Sequence, residues 1–239
     1  DYKYDRSFII TANEVDDYFR VVLKAMEFVD ENLANKTTHI GHGMLVFKHG
    51  KMSSRTGDII SAEKLLENIG KKVRQKMDES LPDETAEIVS VSSIKYSILK
   101  NGIGNDVVYD EEEATNLIGN TGPYLLYTYA RTRSVLRKAE IYDYNSDSSD
   151  LSEAELGLLR CIYKFPEIVK LSCERLSPNL IAGFVFDLAQ KYNSFYADEP
   201  ILNAATEAKK MFRLHLTQAT GQVIKNGLNL LGIKVVDRM

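Results

Sequence analysis

The chain reads as an α/β segment followed by an all-α helical bundle. Three observations carry this: a β-rich run leading into a helical period near the start, a glycine-flanked apolar run at 44–47, and helical periods without strand alternation beyond Pro82. With 239 residues, 44% hydrophobic and 27% charged, the composition suits a globular protein with a substantial core. Domains usually span ~100–150 residues, so two units are expected. The break at Leu81-Pro82 divides them into 1–82 and 83–239.

Ser7-Phe8-Ile9-Ile10-Thr11-Ala12 predicts the first strand, and Asn13 can cap a helix whose apolar positions are Tyr18, Val21, Val22, Met26 and Phe28. Gly41, Gly43 and Gly50 flank Met44-Leu45-Val46-Phe47, a short strand running into a turn. From Ile60 to Met77 the pattern is helical, with Ile60, Leu65, Leu66, Ile69 and Val73 apolar. Beyond Pro82, breaks at Asn101-Gly102 and Asn120-Thr121-Gly122-Pro123 separate helices. Leu180, Phe184, Leu188, Tyr192 and Phe195 share one helix face, and the run from Ala204 to Leu231 ends where Gly232 can terminate it. The segment Asp143 to Glu155 carries five acids and no base, and reads as a solvated connection.

Several function classes fall away. No apolar stretch approaches the ~18 residues of a membrane helix, and acids early in the chain do not suit a targeting peptide. A formal net charge of −4 excludes coating of nucleic acid by bulk charge, so DNA is not expected and any RNA site is a local patch. Cys161 and Cys173 suit a reducing cytosol, and neither they nor His49 and His215 have metal-ligand spacing.

Two stretches carry chemistry. Gly43 to Gly57 contains Lys48, Lys51 and Arg55 and no acid, so an anion is its natural partner. A glycine-flanked loop bearing lysine, two serines and arginine can fold over a polyphosphate and place positive charge where a leaving pyrophosphate develops. A solvated basic loop is the plain alternative. Between Ala130 and Glu140 lie four bases, Arg131, Arg133, Arg137 and Lys138, against one acid, with Tyr124, Tyr127 and Tyr129 just upstream. Rings beside cations suit single-stranded RNA, whose bases stack while its phosphates pair. The alternative makes Tyr124 and Tyr127 core residues and the arginines a solvated face. Lys209 to Met239, with six bases and one acid, forms a second candidate patch.

Lys51-Met52-Ser53-Ser54-Arg55 resembles the KMSKS signature of class I aminoacyl-tRNA synthetases, in a form common among arginyl-tRNA synthetases. The stretch Gly122 to Lys138 is similar to the opening helix of that family's anticodon-binding domain. Leu176-Ser177-Pro178, the run Phe184 to Tyr196, Arg213-Leu214, Gly227 to Ile233 and the terminal Asp237-Arg238-Met239 extend the likeness over nearly the whole chain. The resemblance implies the end of a Rossmann-like catalytic domain carrying the KMSKS-type loop, then an all-α anticodon-binding domain. Lys51, Ser53, Ser54 and Arg55 would be catalytic, forming with Met52 an ATP-binding loop, while Tyr127 and Met239 join the anticodon pocket. Arg131, Arg133, Arg137 and Lys138 are the further tRNA-binding candidates. Expected partners are ATP with magnesium, arginine and its tRNA, with nothing tightly bound to this stretch alone, in a cytoplasmic monomer.

His39-Ile40-Gly41-His42 spells the other class I signature, HIGH, but strand context and a separation of eight residues from Lys51 contradict that role. The resemblance places the true motif before Asp1, so this chain alone is expected not to activate arginine, and Met239 is expected to be the natural end. Ser54 stands where the general signature has its second lysine. Val15 stands where the family carries a glutamine that helps hold arginine. A stand-alone RNA-binding module, another class I synthetase and a structural scaffold remain open at this point.

Overall fold

A computed structural model describes residues 3–48, 61–139 and 149–239. By contact the chain forms two compact units, Asp1–Gly57 with Asn101–Asp110, and Asp58–Lys100 with Glu111–Met239.

In the first unit, β1 (Ser7–Ala12) and β2 (Thr37–His42) pair in parallel, from Ser7 opposite Thr37 to Ala12 opposite His42. Parallel neighbours need a crossover, and a 3-10 turn (Asn13–Val15), α1 (Asp16–Val29) and α2 (Glu31–Lys36) provide it. Extended backbone at Asp30 ends α1, and the Asp30 carboxylate accepts the Leu33 N–H at 3.0 Å to cap α2. The string His39–His42 therefore lies within a strand and opens no helix. His39 stacks on Phe19 with ring centres 4.2 Å apart, and its Nε2 is 2.8 Å from the Thr11 hydroxyl. The apolar positions Tyr18, Val21 and Phe28 are exposed in this unit, against expectation. The half-buried side of α1 instead runs through Phe19, Val22 and Met26, because a two-stranded sheet covers only a narrow stripe of a helix.

The strand expected at 44–47 forms as β3 (Leu45–Phe47), in parallel with β4 (Val107–Tyr109). This partner contradicts the reading of everything past Pro82 as helical; three residues are too few to display a period. Val107 donates its N–H to the Met44 carbonyl at 2.8 Å, Lys48 to that of Tyr109 at 3.0 Å, and the Asp106 carboxylate accepts the Met44 N–H at 2.7 Å.

The second unit is helical among its described residues: α3 (Ala62–Lys76), α4 (Asp83–Leu99), α5 (Glu111–Ala114), α6 (Gly122–Lys138), α7 (Glu153–Glu174), α8 (Asn179–Asp198) and α9 (Glu207–Leu230). Side chains of Ser61, Thr121, Ser152 and Thr206 cap α3, α6, α7 and α9, each accepting an N–H in the first turn. Leu65, Ile69 and Val73 bury the inner face of α3, while Leu66 stays exposed. On α8 the expected face holds: Phe184, Leu188, Tyr192 and Phe195 are buried and Leu180 is half-buried. Gly232, at φ 68°, turns the chain out of α9 while Ile233 N–H bonds the Leu228 carbonyl at 2.9 Å, the double-bonded glycine stop.

The expected boundary near Pro82 falls inside this unit. Leu81-Pro82 is a helix–helix turn, held by Arg74 Nη1 donating to the Leu81 carbonyl at 2.9 Å, and α3 packs on α4. A proline marks the end of a helix without saying which core its neighbours join.

α6 packs on α4, α8 and α9. Its approach to α4 is close: a Cβ built at Gly122 would lie 2.4 Å from the Ser92 carbonyl oxygen. Ser90, Ser92 and Ser93 are buried there and return their hydroxyls to the α4 backbone. Gly122→Ala is therefore expected to cost about 1–3 kcal/mol by overpacking. A lowered denaturant midpoint is the result to look for, and an unchanged one would show that the helices can part freely.

The acidic stretch before α7 also differs from expectation at its end. Glu155 is fully buried, closes a capping box with Ser152, and accepts from Lys209 Nζ and Arg213 Nε, both at 2.8 Å. A carboxylate at that depth is stable because two cations and a main-chain N–H surround it.

Candidate nucleic-acid interface

α6 sorts its side chains by helical period. Leu125, Leu126, Tyr129 and Thr132 are buried, whereas Tyr127, Arg131, Ser134, Arg137 and Lys138 reach a groove of about 1360 Å³. The opposite walls are the α3–α4 connection around Asp78 to Pro82, Tyr196 at the end of α8 with the following Glu199–Asn203 loop, and the tail Val236–Met239.

At the groove floor the Arg131 guanidinium lies between two rings, 5.0 Å from the centre of Tyr127 and 4.8 Å from that of Tyr196. Arg131 Nη1 donates to Asn193 Oδ1 at 2.5 Å, and Asn193 Nδ2 donates to the hydroxyls of Tyr124 and Thr128, both at 2.9 Å. Asn193 thus fixes the plane of the guanidinium, and each cation–ring contact contributes about 0.5–2 kcal/mol according to how far it is desolvated. Tyr127 remains 38% and Tyr196 43% exposed. A guanidinium held against two part-exposed rings offers a platform on which a flat heteroaromatic ring can stack.

Beside the groove opens a mainly apolar pocket of about 220 Å³, lined by Val73, Met77, Val89, Leu117 and Pro123, with Tyr127 and Met239 shared with the groove. The groove carries four bases, Arg131, Arg137, Lys138 and Arg238, and four acids, Asp78, Glu84, Glu199 and Asp237. Two of the acids are engaged by cations: Glu199 accepts from Arg213 Nη2 at 2.5 Å, and Asp237 Oδ1 lies 3.5 Å from Arg133 Nε. The Ser80 hydroxyl and N–H hold the Asp78 carboxyl below its usual range.

The structure brings Tyr127, Arg131, Arg137, Lys138 and Met239 to this one groove. Arg133 is not among them. Two residues on from Arg131, it is turned about 200° around the helix and lines a small polar cleft with Tyr129, Gln218 and Lys225. Tyr124 and Tyr129 behave as packing residues: Tyr124 is half-buried against Phe186, and Tyr129 is 5% exposed. Three of the six bases in the expected patch from Lys209 onward pair within the fold, Lys209 and Arg213 with Glu155 and Lys210 with Glu207, while Arg238 lines the groove. Sequence reasoning missed Asn193, Tyr196 and Arg238; an asparagine and a tyrosine one turn apart on α8 were the available signal for the first two. Lys51, Met52, Ser53, Ser54 and Arg55 lie outside the described residues.

Residues 125–239, which contain the groove-facing stretch of α6, α8 and the tail, match the DALR anticodon binding domain. The whole chain aligns with arginine–tRNA ligases, at 33% identity over 247 residues to that of Clostridium kluyveri and 35% over 253 residues to that of Bacteroides fragilis. Among solved structures, arginyl-tRNA synthetase of Thermus thermophilus superposes with a TM-score of 0.90 over 99% of this chain at 27% identity. Over its full length the chain is similar to the arginyl-tRNA synthetases. It spans 44% and 42% of the two bacterial ligases and 42% of the Thermus chain. Methionyl-tRNA synthetase of Mycobacterium tuberculosis matches at a TM-score of 0.57 and 17% identity, a likeness of fold. The arginyl-tRNA synthetase likeness agrees with the end of an α/β domain followed by a helical anticodon-binding bundle, and it puts the groove inside the matched domain.

Proposed function

We propose that this chain provides the anticodon grip and the pyrophosphate loop of an arginine–tRNA ligase, which in its intact form joins arginine to its tRNA using ATP. The observation that carries the reading is the Arg131 stack between Tyr127 and Tyr196, set in a groove that the C-terminal methionine helps to line. In this reading Tyr127, Arg131 and Met239 receive unstacked anticodon bases, and Arg137 and Lys138 meet the phosphates beside them. Arg133, outside the groove, acts on the tail and not on the bases.

Lys51, Met52, Ser53, Ser54 and Arg55 close over the ATP phosphates, with Lys51 and Arg55 stabilising the pyrophosphate as arginyl-adenylate forms. The acid-free composition of Gly43 to Gly57 supports this, together with the likeness to the family signature. Among the described residues no group of three or more His, Cys, Asp or Glu converges on a metal. Magnesium would arrive with ATP, as the counter-charge of its phosphates. No helix among the described residues is long and apolar enough to cross a membrane. Free Cys161 and Cys173 suit work in a reducing cytoplasm.

The test is titration with arginine tRNA transcripts. Affinity is expected to fall with rising salt, as phosphate contacts release counterions, and to fall about tenfold or more when the middle anticodon base is changed. Equal binding to all anticodons would leave a non-specific RNA-binding module. ATP–pyrophosphate exchange by the 239-residue chain alone is expected to be absent, and its detection would overturn the assignment of activation to the wider enzyme.

A further inference from the structure

We propose that Asp237 is a positioning residue, a latch through which α6 holds the C-terminal tail so that Met239 stays seated beside Tyr127 for RNA. The proposal rests on the RNA-grip reading above. On α6, Tyr129, Arg133 and Arg137 recur every four residues and form one stripe. Arg133 Nε lies 3.5 Å from Asp237 Oδ1, and Arg137 Nη1 donates to the Asp237 main-chain carbonyl at 3.0 Å. Burial and then the charge of Asp237 raise the pKa of the Tyr129 hydroxyl, which places that carboxylate close to the ring's polar end.

Upstream the tail is anchored in the core: Ile233 and Val236 are 1% and 7% exposed, and Lys95 Nζ donates to the Gly232 carbonyl at 2.6 Å. Downstream, Met239 lines both the groove and the apolar pocket. Among the described residues Asp237 is thus the side chain nearest Met239 that pairs with α6, and without it the main-chain bond from Arg137 and the seat of Met239 itself are left to hold the end. The latch also accounts for a carboxylate beside an anion-binding groove. A free aspartate there would repel phosphate, whereas one facing Arg133 spends its charge on holding the tail.

Three variants test this: Asp237→Ala, Asp237→Glu, and a chain lacking Met239. Release of Met239 by carboxypeptidase reports how often the tail opens, and titration with an anticodon stem–loop RNA reports the grip. Asp237→Ala is expected to speed release about tenfold and weaken RNA about five- to tenfold at an unchanged melting temperature, with Asp237→Glu restoring most of both. In the chain lacking Met239, Asp237→Ala should weaken RNA no further, because both changes act through one contact. Unchanged release in Asp237→Ala, or a full additional loss in the chain lacking Met239, overturns the latch. Failure of the wild-type chain to bind RNA overturns the RNA reading instead, and the release rates still decide whether the latch exists.

Discussion

Replacing Glu155 with alanine should cost the second unit about 3–5 kcal/mol, because it removes the carboxylate paired with Lys209 and leaves the buried Arg213 with Glu199 alone. Arg213 and Lys209 side chains are 8% and 18% exposed and both point at Glu155. The same substitution opens the α7 capping box, worth about 1 kcal/mol more. Glu155→Gln keeps an acceptor for the cap and should lose less. Burial pushes the Glu155 carboxyl up, but Lys209, the Ser152 N–H and Arg213 together outweigh it, and the net shift is downward. A depressed carboxyl contributes stability that is complete above its unfolded value, about 4.3, and fades as pH falls through the lower folded value. Denaturant midpoints measured from pH 7 down to pH 3 should therefore drop in the wild type below about pH 4 and drop less in Glu155→Gln. An Asp or Glu network elsewhere would be implicated if Glu155→Gln left that slope intact.

Loss of the groove-floor stack should have the largest effect on RNA. Tyr127→Ala removes a ring on which a base can stack, worth about 1–3 kcal/mol, or roughly ten- to a hundredfold in affinity. Arg131→Ala removes a cation and the packing between Tyr127 and Tyr196, and is expected to weaken binding about ten- to thirtyfold. Arg137→Ala and Lys138→Ala should instead lower the salt slope by about one each, the behaviour of phosphate contacts. Direct titration of RNA at two salt concentrations separates the two classes. If Arg131→Ala binds like the wild type with its melting temperature preserved, the stack is structural and the groove grips RNA elsewhere.

Much of this site was legible in the sequence because α6 announces itself twice. Thr121, Gly122 and Pro123 mark its start, and the tyrosines followed by a run of arginines mark a candidate basic face. Which arginines share a face follows from the helical period, and that period already separates Arg133 from Arg131 and sets it with Arg137. What the period cannot supply is the partner across space. Tyr196 and Asn193 meet Arg131 from α8, and no local pattern links residues that far apart in the chain. The same limit explains Glu155, Lys209 and Arg213. The acidic run reads by itself as a solvated connection and the basic run as a candidate RNA patch, and members of the two become a buried network once α7 and α9 pack together. It explains α1 as well, where an apolar period implied a covered face that two strands are too narrow to cover. The contact units differ from a division at Pro82 for a related reason: β4 is three residues long, and its membership in the first unit is decided by β3, 62 positions earlier.

That excursion of the chain has a bearing on how the protein is made. The ribosome finishes β3 and then builds α3 and α4 before the matching edge, Val107–Tyr109, is available. At about 5–20 residues per second, β3 waits roughly 3–12 seconds for its mate. The helical unit is likewise interrupted, since its first two helices emerge ahead of residues 101–110 and the remainder after them. Neither unit can be excised as one uninterrupted stretch. A clone begun at Asp83 or at Glu111 would separate α3 from the bundle it completes, so any minimal piece intended to hold the groove has to start before Ser61 and carry the β4 segment along as an insert.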